Sequence, residues 1–242
     1  MRARNDPGQY DDLAGSWWDP AGEFAMLHWL AASRAELIPP PRRQGAVLVD
    51  IACGGGLFAP HARRLGYAHV GVDLGEGATR SASDHGVAAV RGDATALPLA
   101  GGGADVVLAG EVLEHVADLE GVVAEACRVL APGGTVVVDT IAATPWGRFT
   151  AVTLAERVPG GPPPRLHDPA LFVDRGRLRR AFAAHHVTLS LRGLVPSPLG
   201  YVRWLADRGR PVRLLRVPGT AALFSGVGHK MVVGGPDQEE VA

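Results

Sequence analysis

The sequence predicts an α/β fold, a doubly wound, mostly parallel sheet with helices on both faces, and three observations carry that prediction. Between about residues 46 and 140, short β-branched runs alternate with helical patterns, the rhythm of parallel strands joined by right-handed crossovers. The first apolar run, residues 46–51 with Asp50 near its end, gives way to Gly54-Gly55-Gly56 before a helical stretch opens at Leu57. The second, Val70-Gly71-Val72-Asp73, again closes on an acid.

The elements follow in order. Residues 22–38 read as a helix through Phe24, Leu27, Leu30, Ala31 and Leu37, and Pro39-Pro40-Pro41 stops it. Strands are expected at 47–51, 69–73, 88–91, 105–110 and 135–140, with helices at 57–65, 77–85 and 119–130 between them. Pro132-Gly133-Gly134 is a turn that launches the fifth strand. The rhythm then breaks. A short amphipathic helix at 149–157 and a Pro/Gly-rich loop at 159–164 form a lid-like insertion at about 142–168. A helix at 175–185, a strand at 188–192 and a final strand at 229–233 complete the sheet, and 234–242 form a tail. Residues 1–44 are expected as an N-terminal helical cap on a main domain spanning 45–242.

Composition narrows the function. Apolar residues make up 47% and charged residues 20% of 242, enough to bury a large core. A net charge of −1 gives no field for nucleic acid. Lys230 is the only lysine among 24 basic residues, a bias attributed to base composition rather than phosphate recognition. Two cysteines, Cys53 and Cys127, offer no disulfide framework, and Arg2, Arg4, Asp6, Asp11 and Asp12 stand where a signal peptide would be apolar. A cytoplasmic location is therefore expected. No run of about 18 apolar residues is present to cross a bilayer. No feature specifies an oligomeric state.

Glycines after a strand let a ligand approach the backbone, and a strand-end acid can accept hydrogen bonds from both hydroxyls of a ribose. Asp50, Gly54, Gly56 and Asp73 therefore read as a nucleotide site. Asp93, in Arg91-Gly92-Asp93-Ala94 after the third strand, can accept from an adenine amine or make an Asx turn. The contiguous glycines depart from the spaced G-x-G-x-x-G pattern, which argues against an NAD-dependent dehydrogenase.

Asp50-x-x-Cys53-Gly54-Gly55-Gly56, Asp73, the Gly92-Asp93-Ala94 turn, Glu111-Val112-Leu113-Glu114-His115 and Ala131-Pro132-Gly133-Gly134 together resemble class I S-adenosylmethionine-dependent methyltransferases, over about residues 45–140. Ser16-Trp17-Trp18-Asp19-Pro20 with Leu27-His28 and Arg34, and later Leu166-His167-Asp168, resemble the ubiquinone-biosynthesis O-methyltransferases, which methylate polyprenylated catechol-type precursors. The resemblance implies a Rossmann-like methyltransferase sheet with S-adenosylmethionine as cofactor. It also implies that Arg34, Ala52, Asp73 and Gly110 line the cofactor pocket, although Ala52 stands where that family has glycine and Gly110 where a larger apolar residue is common. The full cofactor set adds Asp50, Gly54, Gly56, Leu74, Asp93 and Ala94.

Glu111, Glu114 and His115 fall at i, i+3 and i+4, so in a helix they would share one face. Two carboxylates and an imidazole can hold Mg²⁺ or Zn²⁺, and the resemblance implies metal binding by this run. A cation lowers a phenol's pKa, which otherwise sits near 10. In the alternative, His115 acts as a general base without metal, and in the plainest reading the run only shapes the pocket. His167, after the Pro-rich loop, is a second candidate base. Glu114, His115 and His167 are thus the catalytic candidates. His185-His186 is assigned to a helix C-terminus.

Trp17, Trp18 and Trp146 are candidate walls for a small aromatic substrate, and Phe24 is assigned to packing. The amphipathic segment 146–158 suits either a lid or peripheral contact with a membrane holding a lipid-tailed quinol. The expected function is O-methylation of a phenolic or catechol-like hydroxyl, of a polyprenyl quinol precursor if the resemblance extends to substrate. The alternatives are a natural-product O-, N- or C-methyltransferase and a non-catalytic nucleotide-binding regulator on the same fold.

Overall fold

A computed structural model describes residues 3–6, 8–9 and 14–232. Eight strands form one sheet: β1 (Val47–Ile51), β2 (Ala68–Asp73), β3 (Ala88–Arg91), β4 (Ala104–Gly110), β5 (Leu130–Ile141), β6 (Val187–Pro196), β7 (Leu214–Val217) and β8 (Leu223–Lys230). Their spatial order is β3-β2-β1-β4-β5-β8-β6-β7. The first five pair in parallel, whereas β8 runs antiparallel between β5 and β6, and β7 antiparallel to β6. The chain reverses winding between β1 and β4, and ligands of such sheets bind at the carboxyl ends beside that switch.

Helices α1 (Ala25–Ala35), α2 (Ala59–Leu65), α3 (Glu76–Asp84), α4 (Leu119–Val129), α5 (Arg175–Ala183) and α6 (Pro198–Ala206) cover the sheet. On one face Val107, Val136 and Val138 pack with Val122 and Val123 of α4 and Leu178 and Phe182 of α5. On the other, Leu48, Val106, Leu108 and Val137 pack with Ala31 and Ala35 of α1 and with Phe58 and Ala62. The N-terminal helix is thus part of the covering layer. Register sets the ligand edge: Asp50 lies beside Gly71 and Leu108, Asp73 beside Arg91, and Gly110 beside Asp139.

The early strands agree with expectation to within a residue. Three departures have physical causes. Strand β5 begins at Leu130, and its pairing with β4 jumps from Ala104–Leu130 to Val106–Thr135, so the Pro-Gly-Gly turn is a bulge inside a strand. The last strand lies at Leu223–Lys230 rather than 229–233, whose final residue is outside those described. Its Ser225, Gly226 and Gly228 are weak strand formers, yet a Cβ on Gly226 would lie 2.8 Å from Leu191 Cδ2, and one on Gly228 2.7 Å from Val187 Cγ1. Close packing against β6 therefore requires those glycines. The helix expected at 149–157 is instead a π-helical turn, Phe149–Leu154, followed by a 3-10 turn, Ala155–Arg157. There Thr150 Oγ1 donates to the Trp146 carbonyl at 2.9 Å, and Thr150, Val152 and Thr153 add β-branched crowding. Strand β7 and helix α6 also lie in residues 193–228, where the sequence predicts no element.

Candidate active site

The site begins where β1 stops. Ala52 takes φ 55°, turning the chain so that the Cys53 N–H donates to the Val72 carbonyl at 3.1 Å. Gly54 follows at φ 53° and donates its N–H to Asp73 Oδ2 at 2.9 Å, while Oδ1 accepts from the Gly75 N–H at 2.8 Å. One carboxylate therefore ties the β1 and β2 loops together, and carboxylate oxygens retain lone pairs for a ligand. Trp17 lies against the loop, 2.6 Å from where a Cβ on Gly54 or on Gly55 would sit. It stacks on Phe24 with ring centroids 4.3 Å apart.

A cavity of about 440 Å³ opens at this edge, and nine of the ten cofactor candidates line it. The exception is Gly56, at φ 81°, where an added Cβ would lie 2.9 Å from Ala82 Cα. That glycine serves packing against α3 rather than the cavity. Asp50, Asp73 and Asp93 all face this one space. Asp50 is buried, with Oδ2 3.3 Å from His69 Nε2. Asp93 is exposed, and its Oδ1 accepts from both the N–H and the hydroxyl of Thr95 at 2.8 and 2.7 Å. These bonds make an Asx turn and hold the acid below the usual carboxylate range. Cys53 also lines the cavity, but burial and then Asp50 and Asp73 push its thiol up, which leaves it protonated and a poor nucleophile.

Arg34 reaches the cavity from α1 with its guanidinium clamped on Asp139, Nε to Oδ2 at 2.5 Å and Nη2 to Oδ1 at 2.9 Å. A Cβ on Gly110 would lie 2.2 Å from Arg34 Cζ. The missing side chain at 110 is the space the guanidinium fills.

The segment 111–115 is a turn, not a helix, and its side chains diverge. Glu111 sits at φ 53° and lines the cavity, with its Oε1 buried. Burial, then Glu114 and Asp139, raises its pKa well above the usual value. Glu114 is fully buried, accepts from Thr140 Oγ1 at 2.7 Å, and is pushed up to about 7, chiefly by burial. His115 turns toward His167, the rings 5.2 Å apart and 25° from parallel. Burial and the neighbouring ring lower His115 to about 3; burial and Arg4 lower His167 to about 4. Both imidazoles are therefore neutral near pH 7.

The expected metal trio is accordingly corrected. Glu111 lies outside the group able to surround a cation, which is Glu114, His115 and His167, whose ligand atoms lie within 4.8 Å of one another. Among the described residues, Glu114 Oε1 and His167 Nδ1 are buried without a hydrogen-bond partner, a costly arrangement that a cation would relieve. Of the candidate walls, Trp17 lines the cavity. Trp18 stacks on His85 at 3.8 Å, Phe24 is core, and Trp146 is 56% exposed beside Phe149. Two site residues stand outside the sequence-predicted set: Asn5, which lines the cavity, and Asp139, although Val136-Val137-Val138-Asp139 repeats the apolar-run-then-acid pattern of the first two strands. Among the described residues, no helix is long and apolar enough to cross a membrane.

Known proteins bear on this geometry. Residues 49–138 match the model of a methyltransferase domain family. A ubiquinone biosynthesis O-methyltransferase of Methylobacterium nodulans is 33% identical over 232 residues, covering 88% of this chain and 93% of that protein. One of the same name from Caulobacter vibrioides is 35% identical over 206 residues, covering 76% and 81%. Among solved structures, a SAM-dependent methyltransferase from Thermotoga maritima aligns with TM-score 0.65 at 20% identity, covering 92% of this chain and 97% of its own, which speaks to the fold. A Rossmann-like sheet, a cavity at its switch point and near full-length similarity converge: the chain belongs to the ubiquinone biosynthesis O-methyltransferase family and is an S-adenosylmethionine-dependent methyltransferase.

Proposed function

We propose that the protein transfers the methyl group of S-adenosylmethionine to a phenolic or catechol-like hydroxyl of a polyprenyl quinol precursor. The observation that carries this reading is His115, which lines the same cavity as Asp50, Asp73 and Asp93 and whose ring groups with the buried Glu114 and His167. The names of the relatives supply the acceptor class. In this reading Asp73 accepts from the ribose hydroxyls, Asp93 from the adenine amine, and the glycine loop admits the donor's backbone-facing edge.

The reaction is one in-line displacement: the acceptor oxygen forms the O–CH₃ bond as the S⁺–CH₃ bond breaks, its electron pair staying on sulfur. The acceptor's proton leaves to a base or solvent. The chain's contribution is to align the two reactants and to make the oxygen nucleophilic. A histidine held near 3 is a weak acceptor for a phenol proton, which favours the metal-assisted reading over His115 acting alone. Glu114, His115 and His167 would hold the cation. A divalent ion there supplies Lewis acidity that lowers the phenol pKa. Glu114, with one oxygen fixed by Thr140, would present the other.

The test is incubation with labelled donor and a panel of prenylated catechols, demethyl-quinols, hydroxylated polyketides and amines. Labelled methyl ether on a catechol supports the proposal. Product only on nitrogen or carbon, or donor binding with no S-adenosylhomocysteine formed on any acceptor, overturns it. Rates unchanged after stringent chelation, or a metal response that survives Glu114→Ala, would remove the cation alone.

A further inference from the structure

Residues 3–6 and 8–9 form an N-terminal strap tied to the insertion, with Asn5 lining the cavity. Arg4 Nη1 donates to the His167 carbonyl at 2.9 Å and to Glu156 Oε1 at 3.1 Å. The Asn5 N–H donates to the Arg165 carbonyl at 3.2 Å, and Gln9 Nε2 to the Pro164 carbonyl at 3.1 Å. The strap thus binds the insertion that carries His167, and it sets one side chain against the acid-histidine turn.

That side chain is Asn5. Its Nδ2 donates to the His115 carbonyl at 2.9 Å, and its Oδ1 lies 2.5 Å from His115 Nδ1. A backbone carbonyl only accepts, so the amide nitrogen must face it, which leaves the amide oxygen facing the ring. An amide oxygen also only accepts, so Nδ1 must carry the proton. In the neutral imidazole the lone pair then sits on Nε2. The backbone supports this geometry: Asn5 takes φ 56°, a left-handed conformation that asparagine adopts more readily than most residues. Histidines at metal or proton-transfer centres commonly have one ring nitrogen held in this way by a second polar group.

We propose that Asn5 is a positioning residue for methyl transfer: it locks His115 in the Nδ1–H tautomer, fixes the ring plane and makes the N-terminal strap part of the active site. This rests on the O-methyltransferase reading for its purpose, although the tautomer itself does not. Nε2 is then the nitrogen that serves the acceptor hydroxyl, either directly or through a bound cation.

The experiment uses the full chain labelled with ¹⁵N-histidine, without added metal, at neutral pH. Long-range ¹H–¹⁵N correlation spectra report the tautomer of His115, whose signals are assigned by their loss in His115→Gln. Asn5→Gly removes the amide while keeping the positive φ, and Asn5→Asp keeps an acceptor facing Nδ1. The wild type and Asn5→Asp should show the Nδ1–H tautomer, and Asn5→Gly a mixture. With a prenylated catechol, kcat in Asn5→Gly should fall about 10–100-fold, with S-adenosylhomocysteine affinity by calorimetry changed less than about twofold. Asn5→Asp should restore most of the rate. An Nε2–H tautomer in the wild type, or an Asn5→Gly protein that keeps both the tautomer and the rate, overturns the proposal. A wild type that methylates no catechol while holding the Nδ1–H tautomer would count against the substrate reading instead.

Discussion

Gly110→Ala is a one-methyl substitution whose cost depends on a residue 76 positions away. The new Cβ would lie 2.2 Å from Arg34 Cζ and 2.3 Å from Nε, so the guanidinium must leave its seat. Leaving breaks both bonds to Asp139, a carboxylate with no exposed side-chain surface. Removing one partner of a buried pair costs about 3–5 kcal/mol. Replacing glycine returns roughly 0.4–1 kcal/mol through the unfolded chain. The net loss should be about 2–4 kcal/mol, a large share of the roughly 5–15 kcal/mol that holds a domain together. Arg34→Met breaks the same pair and vacates the same space, so Gly110→Ala in that background should cost less than about 1 kcal/mol. Urea unfolding of the four proteins, followed by far-ultraviolet circular dichroism, gives the coupling, expected at about 2–3 kcal/mol. Strictly additive losses would refute the account of why glycine stands at 110.

Three further outcomes are expected. Asp73→Ala should weaken S-adenosylhomocysteine binding by roughly 2–4 kcal/mol, since it removes the acceptor that orders both the Gly54 and Gly75 N–H groups; an unchanged dissociation constant by calorimetry would contradict it. Ala52→Gly should raise unfolding free energy by about 0.5 kcal/mol, the relief at φ 55° exceeding the entropic cost of glycine, and a loss of stability in the same urea assay would count against that balance. Because Glu114 is pushed up from 4.5 to about 7, the folded state keeps its proton where the unfolded state has lost it. Its stabilising contribution is complete below about 4.5 and disappears as pH rises through about 7, a decline of about 3 kcal/mol. In chelator, Glu114→Gln should flatten that slope, and an identical slope in both proteins would refute the assignment.

Much of the site was legible because parallel sheets concentrate function at strand ends. Asp50, Asp73 and the glycine loop announce themselves by an apolar run that stops on an acid, and the structure sets Asp50, Asp73 and Gly54 on one cavity. What escaped depends on distance in sequence. The helical spacing of Glu111, Glu114 and His115 has no meaning in a turn that opens at φ 53°. His167 joins His115 and Glu114 only through the path of the insertion. Asn5 lies 110 residues from its partner, and nothing local marks it. Strand β8 was misplaced because its glycines answer to packing against β6, a tertiary demand that outweighs strand propensity.

The placement of β8 has a consequence for biogenesis. Asp139 and Thr140, which hold Arg34 and Glu114, are themselves registered against Ser225 and Phe224 of that strand. On the ribosome, the donor-binding half can begin to collapse early, but β5 keeps one bare edge until residues 223–230 emerge and slot in beside it. Such late, long-range closure slows folding and leaves an aggregation-prone strand edge exposed in the interim. A nascent chain arrested before residue 223 should therefore be a chaperone client.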